Sequence, residues 1–117
     1  DRLREPIESN RISVNVVIGR DTISAGMTNA TDFKKAFGAK YVGEVSGSRP
    51  NGYQESFPFE LPHSRLKGSV AQRYYSFQDK DTPGLIPDVA LPPTWAAFAA
   101  GRDEALEWAI QQLSPPR

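Results

Sequence analysis

The feature that most constrains the fold is a strand-like run followed by a helical pattern and a second apolar run. The first run, residues 11–19, contains the β-branched residues Ile12, Val14, Val16, Val17 and Ile18. It predicts a buried strand that ends at Gly19. From Ser24, apolar residues recur at helical spacing (Met27, Ala30, Phe33 and Phe37), and Gly38 supplies a helix stop. Residues 39–44 then predict a second strand, parallel to the first in a right-handed crossover.

The rest of the chain predicts a loop, a hairpin, an extended connection and a helix. Residues 45–55 lack periodicity and are rich in turn residues, so we predict a loop at the end of a parallel strand, where ligands tend to bind. Residues 57–77 predict an antiparallel hairpin that turns at 62–65. Residues 78–95 are proline-rich and predict an ordered extended connection. After Gly101, Asp103 can cap a helix with an apolar stripe (Ala105, Leu106, Ala109, Ile110 and Leu113), and residues 114–117 form a polar tail.

Composition excludes several functions. Lys plus Arg and Asp plus Glu both number 14 in 117 residues, so no net charge attracts nucleic acid. The chain has no cysteine, which rules out disulfides and thiolate catalysis. No apolar run reaches the ~20 residues of a membrane span. Asp79 and Asp81 have no converging partners, so we predict neither a metal site nor a cofactor.

Ser24 is open to two interpretations. Thr22 and Ser24 can each accept a hydrogen bond from the free N–H groups at the start of a helix, which is the usual role of Ser and Thr there. Alternatively, a strand that ends at Ile18 and a helix that starts near Ser24 would hold the hydroxyl beside those N–H groups as a nucleophile. The local pattern alone favours the cap.

A longer resemblance supports the nucleophile. The segment IGRDTISAGMTNATDFKKAFGAKYVGE resembles the nucleophile segment of the tail-specific, or C-terminal processing, serine peptidases, with Thr22, Ser24 and Ala25 at matching positions. The hairpin, the PDV at 87–89 and the GRDEALEWA at 101–109 are similar to that family's closing segments. The resemblance covers residues 11–113.

This resemblance implies a crotonase-like α/β fold with Ser24 as nucleophile and the Ala25 backbone N–H as one oxyanion donor. We also assign substrate-binding roles to Thr22, Arg49 and Asn51; the Arg49 guanidinium could bind a substrate carboxylate or carbonyl. In the family, a second oxyanion donor comes from a glycine-rich segment that would precede Asp1. We therefore interpret residues 1–117 as a single domain or as the C-terminal part of a catalytic domain, and expect little activity from this piece alone.

The sequence departs from the family at the general base. The family uses a lysine where this chain has Arg49, and a guanidinium cannot accept the serine proton near neutral pH. His63, the only histidine, falls in the predicted hairpin turn, so we expect it to face solvent. Glu55 could act as base or orienter if burial raised its pKa.

The sequence thus predicts a serine-type peptidase-related hydrolase that acts on peptide or protein substrates. The alternative is a catalytically inactive relative whose cleft binds a peptide, a sugar or a small apolar ligand. A free sheet edge could also pair two copies into a homodimer. The resemblance favours an extracytoplasmic or periplasmic location.

Overall fold

The computed structural model describes residues 4–9 and 12–113, and the chain folds as a mixed α/β structure. Its elements, in order, are α1 (Arg4–Glu8), β1 (Asn15–Ile18), α2 (Ala25–Phe37), β2 (Lys40–Gly43), β3 (Asn51–Glu60), β4 (Lys67–Ser76), β5 (Val89–Ala90), α3 (Trp95–Ala99) and α4 (Glu104–Leu113). Arg11, at the start of the first predicted strand, and the predicted tail at 114–117 lie outside the described residues. None of the described helices is long and apolar enough to cross a membrane.

The order strand–helix–strand and the parallel pairing are confirmed, but the first strand is shorter and less buried than predicted. It spans Asn15–Ile18 rather than residues 11–19, and Ile12 and Val17 are exposed. β1 and β2 pair in parallel, with Val16 opposite Tyr41 and Ile18 opposite Gly43. β5 adds a third parallel strand, so the strand order is β1-β2-β5. Helix α2 ends where predicted, because Gly38 adopts a left-handed φ of 62° and donates its N–H to the Lys34 carbonyl.

The core lies between α2 and one face of this sheet. Met27 and Ala30 of α2 pack with Ile18, Tyr41 and Leu85, all of them buried. The hydroxyl of Tyr41 donates to the Ala30 carbonyl at 3.1 Å, which satisfies the polar end of this buried ring. This core fixes the position of α2, and therefore of its first residues, relative to the ends of β1 and β2.

Helix α4 contacts β1 and β2. Asp103 caps it as predicted, accepting the Leu106 N–H at 3.0 Å. Ala105 and Ala109 are buried. The other members of the predicted apolar stripe, Leu106, Ile110 and Leu113, are exposed. The predicted stripe is therefore buried at its two alanines and exposed at its three larger side chains.

The predicted hairpin is present but begins earlier than expected. β3 pairs with β4 in antiparallel fashion from Asn51, opposite Ser76, to Glu60, opposite Lys67. The loop predicted at 45–55 therefore ends at Pro50, and the prediction for 51–55 was wrong. Asn51 and Gly52 read locally as turn residues, but pairing with a distant strand overrides that preference.

The proline-rich segment at 78–95 has little regular secondary structure, with several bends and two short elements that the sequence did not indicate. β5 is only two residues long and is a strand because it pairs with β2. Helix α3 begins after Thr94, whose hydroxyl accepts the Ala97 N–H at 3.1 Å. On the opposite edge of the sheet, β1 pairs with no other described strand on its outer side, and pairing with a second copy stays a prediction.

The loop after β2 lies directly on the turn that connects β1 to α2. A Cβ added to Gly47 would lie 1.8 Å from the Arg20 carbonyl oxygen. Ser46 holds the other side of the loop: its N–H donates to the Leu85 carbonyl at 3.2 Å, and its hydroxyl accepts the Leu85 N–H at 2.7 Å. The loop and the turn are therefore in direct backbone contact.

Asp88 joins the start of β2 to α2. Its carboxylate contacts the Lys34 ammonium at 2.6 Å and accepts the Tyr41 N–H at 2.7 Å. Partial desolvation opposes ionisation, but the hydrogen bonds from Lys34 and Tyr41 prevail and lower the pKa of Asp88. This carboxylate therefore stabilises the fold in its charged form.

Replacing Gly47 with Ala should destabilise the chain on the order of 2 kcal/mol, because the new methyl group meets backbone that must move. Gly26→Ala is the matched control. Gly26 lies within α2, where the nearest atom to an added Cβ is 4.0 Å away, so this change should stabilise by about 0.4–1 kcal/mol. Urea unfolding of both variants measures the difference. Equal effects would show that the loop is not held against the turn.

Stability should fall as the pH drops below about 4, because a carboxylate with a lowered folded-state pKa loses its contribution as it is protonated. Above the unfolded-state pKa that contribution is complete. Asp88→Asn keeps an acceptor for the Tyr41 N–H but cannot titrate. Unfolding free energies from pH 2.5 to 7 should therefore depend less steeply on pH in this variant, and an unchanged slope would exclude Asp88.

Candidate active site

The turn before α2 is closed by Thr22. The Thr22 N–H donates to the Gly19 carbonyl at 2.8 Å, and the Gly19 N–H donates back to the Thr22 hydroxyl at 3.0 Å. This reciprocal pair fixes the path of the chain from β1 to Ser24. The Thr22 hydroxyl is thus bonded within the turn rather than to the start of the helix.

Ser24 stands immediately before α2 in an uncommon backbone conformation. Its φ is 48° and its ψ is −120°, a combination outside the regions that residues with a Cβ normally occupy. The residue is exposed, and its hydroxyl makes no capping hydrogen bond. Ser24 therefore occupies the N-cap position of α2, but its side chain does not cap the helix.

A free backbone N–H lies next to this hydroxyl. In the first turn of α2, the amides of Gly26 and Met27 both donate to the Ile23 carbonyl, at 2.9 and 3.4 Å. For the Ala25 amide, the described part of the chain contains no acceptor. Ala25 thus offers an N–H at the positive end of a 13-residue helix.

Ser24 faces a groove that it shares with the loop after β2. We call this the serine groove, and its volume is about 580 Å³. Its lining consists of Ile23, Ser24, Gly47, Ser48, Arg49, Asn51, Gly52, Tyr53 and Gln54. The fold therefore brings together three of the residues selected from the sequence: Ser24, Arg49 and Asn51.

Arg49 supplies the only charge in that lining. It is exposed and makes no hydrogen bond or ion pair with another described residue. The following residue, Pro50, is fully buried and anchors the loop beside it. The guanidinium is thus attached to a fixed backbone while its donors remain available.

Asn51 has a structural role in the groove wall. Its amide oxygen accepts the N–H groups of Phe77 and Gln78 at 2.9 and 3.1 Å. Its amide nitrogen donates to the Gln78 carbonyl at 2.8 Å and to Asp81 at 2.9 Å. These bonds occupy the side chain, so Asn51 shapes the groove but has little capacity left to bind a ligand.

Three other selected residues, Thr22, Ala25 and Glu55, are not part of the lining of the serine groove. Thr22 lines a neighbouring groove with Trp95 and Phe98. Glu55 is exposed, with a positive φ of 56°, and its carboxylate accepts a short hydrogen bond from the Tyr75 hydroxyl, which raises the pKa of Tyr75. The burial that a base role for Glu55 requires is therefore absent.

His63 is exposed in the turn between β3 and β4, as the sequence predicted. This turn follows Glu60 at the far end of the hairpin from Asn51. His63 does not line the serine groove. The structure therefore offers no Ser–His pair among the described residues.

Arg20, in the turn before Ser24, forms an ion pair with Glu44, which follows β2. Arg20 donates to Glu44 through Nε at 3.1 Å and through a second guanidinium nitrogen at 3.3 Å. The Arg20 N–H also donates to the same carboxylate at 3.3 Å. These bonds lower the pKa of Glu44 and keep it charged. They join the turn before Ser24 to the loop after β2.

Sequence reasoning missed six groove residues, three of which have polar side chains: Ser48, Tyr53 and Gln54. These three lie within two positions of a selected residue, so their place in the same loop and strand start was the available signal. The Ser48 hydroxyl oxygen is buried, and the described residues offer it no hydrogen-bond partner. Chemically, the groove combines a hydroxyl and a cation that bond to no described residue, and the unbonded Ala25 amide follows Ser24 directly in the chain.

Comparison with models of protein families found no match, and comparison with curated proteins found no similar sequence.

Proposed function

We propose that this chain is part of a serine-type, peptidase-related hydrolase domain with a crotonase-like arrangement, in which Ser24 is the nucleophile. The observation that carries the proposal is the backbone of Ser24, with φ 48° and ψ −120° and a hydroxyl free of any cap bond. Sparsely populated backbone conformations cost about 1–3 kcal/mol and concentrate at functional sites. A serine on a strained strand-to-helix turn is the arrangement that exposes a nucleophilic hydroxyl in other hydrolases.

The proposed reaction is acyl transfer to the Ser24 hydroxyl oxygen. As that oxygen attacks the carbonyl carbon of a peptide bond, negative charge develops on the carbonyl oxygen. The Ala25 N–H is available to donate to this oxygen, and the dipole of α2 favours the negative charge there. The hydroxyl proton must pass to a base, and the leaving amine must then receive a proton.

The described lining of the serine groove contains no residue that can act as the general base. Among the described residues, the serine groove contains no lysine, histidine or carboxylate, and Arg49 stands where the similar family has its lysine. A guanidinium remains protonated near neutral pH and cannot accept the serine proton. Under this proposal the base is supplied by a group outside the groove lining described above.

Ser24→Ala should abolish hydrolysis of peptide or ester substrates by the intact protein and should prevent labelling by a fluorophosphonate probe, because both need the hydroxyl oxygen. Ser24→Gly also removes the hydroxyl but relieves the backbone strain, so it should be more stable than Ser24→Ala by about 1 kcal/mol. Turnover, labelling and unfolding free energies are the three measurements. Undiminished turnover in Ser24→Ala would overturn the assignment.

A second candidate function is peptide binding without catalysis, and the absence of a base from the described groove lining supports it. A relative that lost catalysis would keep the groove and bind a peptide in it, and Arg49 in place of a lysine favours this alternative. The two candidates make different predictions for Arg49→Lys.

If the protein is a relative that lost its base, Arg49→Lys should raise the turnover of the intact protein by about 100-fold or more, since a positioned general base contributes about 10²–10⁴-fold. If the protein is a hydrolase whose base lies outside the groove, the same change should not raise turnover. The double variant Ser24→Ala/Arg49→Lys is the control and should be inactive. A wild-type protein that is inert while Arg49→Lys is active would identify a natural binder. An active wild type that is unaffected by the change would place the base elsewhere.

A further inference from the structure

We propose that Arg49 selects peptide ligands that carry a carboxylate, and that the serine groove binds an acidic peptide segment. This inference rests on the proposed function for its assumption that the groove receives a peptide. It adds the chemical class of that peptide and a specific role for a side chain that cannot be the base.

The charge of the groove supports this choice. Apart from Arg49, the groove lining is uncharged, and no described carboxylate pairs with this guanidinium. The lining therefore carries one uncompensated positive charge, although the net charge of the whole chain is zero. An anionic group in the groove would be favoured by that cation and opposed by no like charge in the lining.

The chemistry of arginine narrows the anion to a carboxylate. A guanidinium presents parallel N–H donors that match the two oxygens of a carboxylate, and such bidentate bonds are among the stronger ones that proteins form. The groove has only one cation, whereas nucleic acid binding depends on several basic groups that neutralise successive phosphates. A single carboxylate on a peptide fits this site better than a polyanion does.

Arg49 would bind the carboxylate of the peptide, whereas Ser24 would react with its backbone carbonyl group. Arg49 lines the groove together with Ser24. A carboxylate held by Arg49 would therefore orient the peptide backbone relative to the serine hydroxyl. The proposal assigns the carboxylate to an Asp or Glu side chain within the segment, and the C-terminus of a peptide is tested as a separate source.

The experiment measures peptide binding to the intact protein with Ser24→Ala, so that turnover cannot interfere. Three acetylated peptides of matched length are compared by isothermal titration: one neutral with an amidated C-terminus, one neutral with a free C-terminus, and one amidated with an internal Glu. We expect the peptide with the internal Glu to bind about 10-fold more tightly than the neutral amidated peptide. A gain confined to the peptide with the free C-terminus would assign the carboxylate to the chain end and overturn the acidic segment.

The variants Arg49→Gln and Arg65→Gln test the assignment. Both remove one positive charge, but Arg65 lies at the turn of the hairpin, paired with Glu60. Arg49→Gln should abolish the preference for a carboxylate, and Arg65→Gln should preserve it. Arg49 is exposed and makes no described bonds, so Arg49→Gln should fold normally, which a thermal melt checks.

Equal binding of all three peptides, or a preference that survives Arg49→Gln, would overturn the inference. So would the absence of any peptide binding. Hydrolysis is scored separately on the protein with Ser24 intact. An Arg49-dependent preference without Ser24-dependent cleavage rejects the hydrolase and keeps the inference, whereas cleavage that is indifferent to the carboxylate keeps the hydrolase and rejects the inference.

Discussion

The structure of the candidate site depends on a backbone contact between the loop after β2 and the turn before α2. At Gly47 the loop approaches the Arg20 carbonyl so closely that no Cβ fits between them. The Ser46 bonds to Leu85 and the Arg20 bonds to Glu44 hold the two sides of this contact in place. Without it, Arg49 and Ser24 would lie on two separate loops, and the groove between them would not exist.

Anchors on both sides of Ser24 explain how it can stay in an unfavourable conformation. A strained residue persists only where its surroundings determine its position. On one side of Ser24, the reciprocal bonds of Thr22 and Gly19 fix the turn. On the other side, the packing of Met27 and the ion pair of Lys34 with Asp88 hold α2 on the sheet. The chain between these anchors is short, so the strain falls on the residue between them.

The sequence predicted those parts of the fold that local signals determine. The β-branched run, the helical spacing from Met27 to Phe37, the stop at Gly38 and the cap at Asp103 all act within one element. The features that were missed depend on distant partners, as with the start of β3 and the whole of β5. Of the selected site residues, Ser24, Arg49 and Asn51 share a groove, while Glu55 turns to Tyr75 because of its positive φ. No local pattern signals that conformation.

The strain at Ser24 bears on the choice between a hydrolase and a passive binder. A serine that only capped the helix would adopt an extended backbone and accept an N–H of the first turn, which stabilises by about 1 kcal/mol. Ser24 makes no such bond and instead occupies a conformation that costs about 1–3 kcal/mol. Peptide binding through Arg49 requires neither the missing cap bond nor the strained backbone of Ser24, because it depends only on the loop that carries Arg49. The proposed hydrolase gives this strained, unbonded serine a role that a passive binder does not, and the strain at Ser24 therefore supports that proposal.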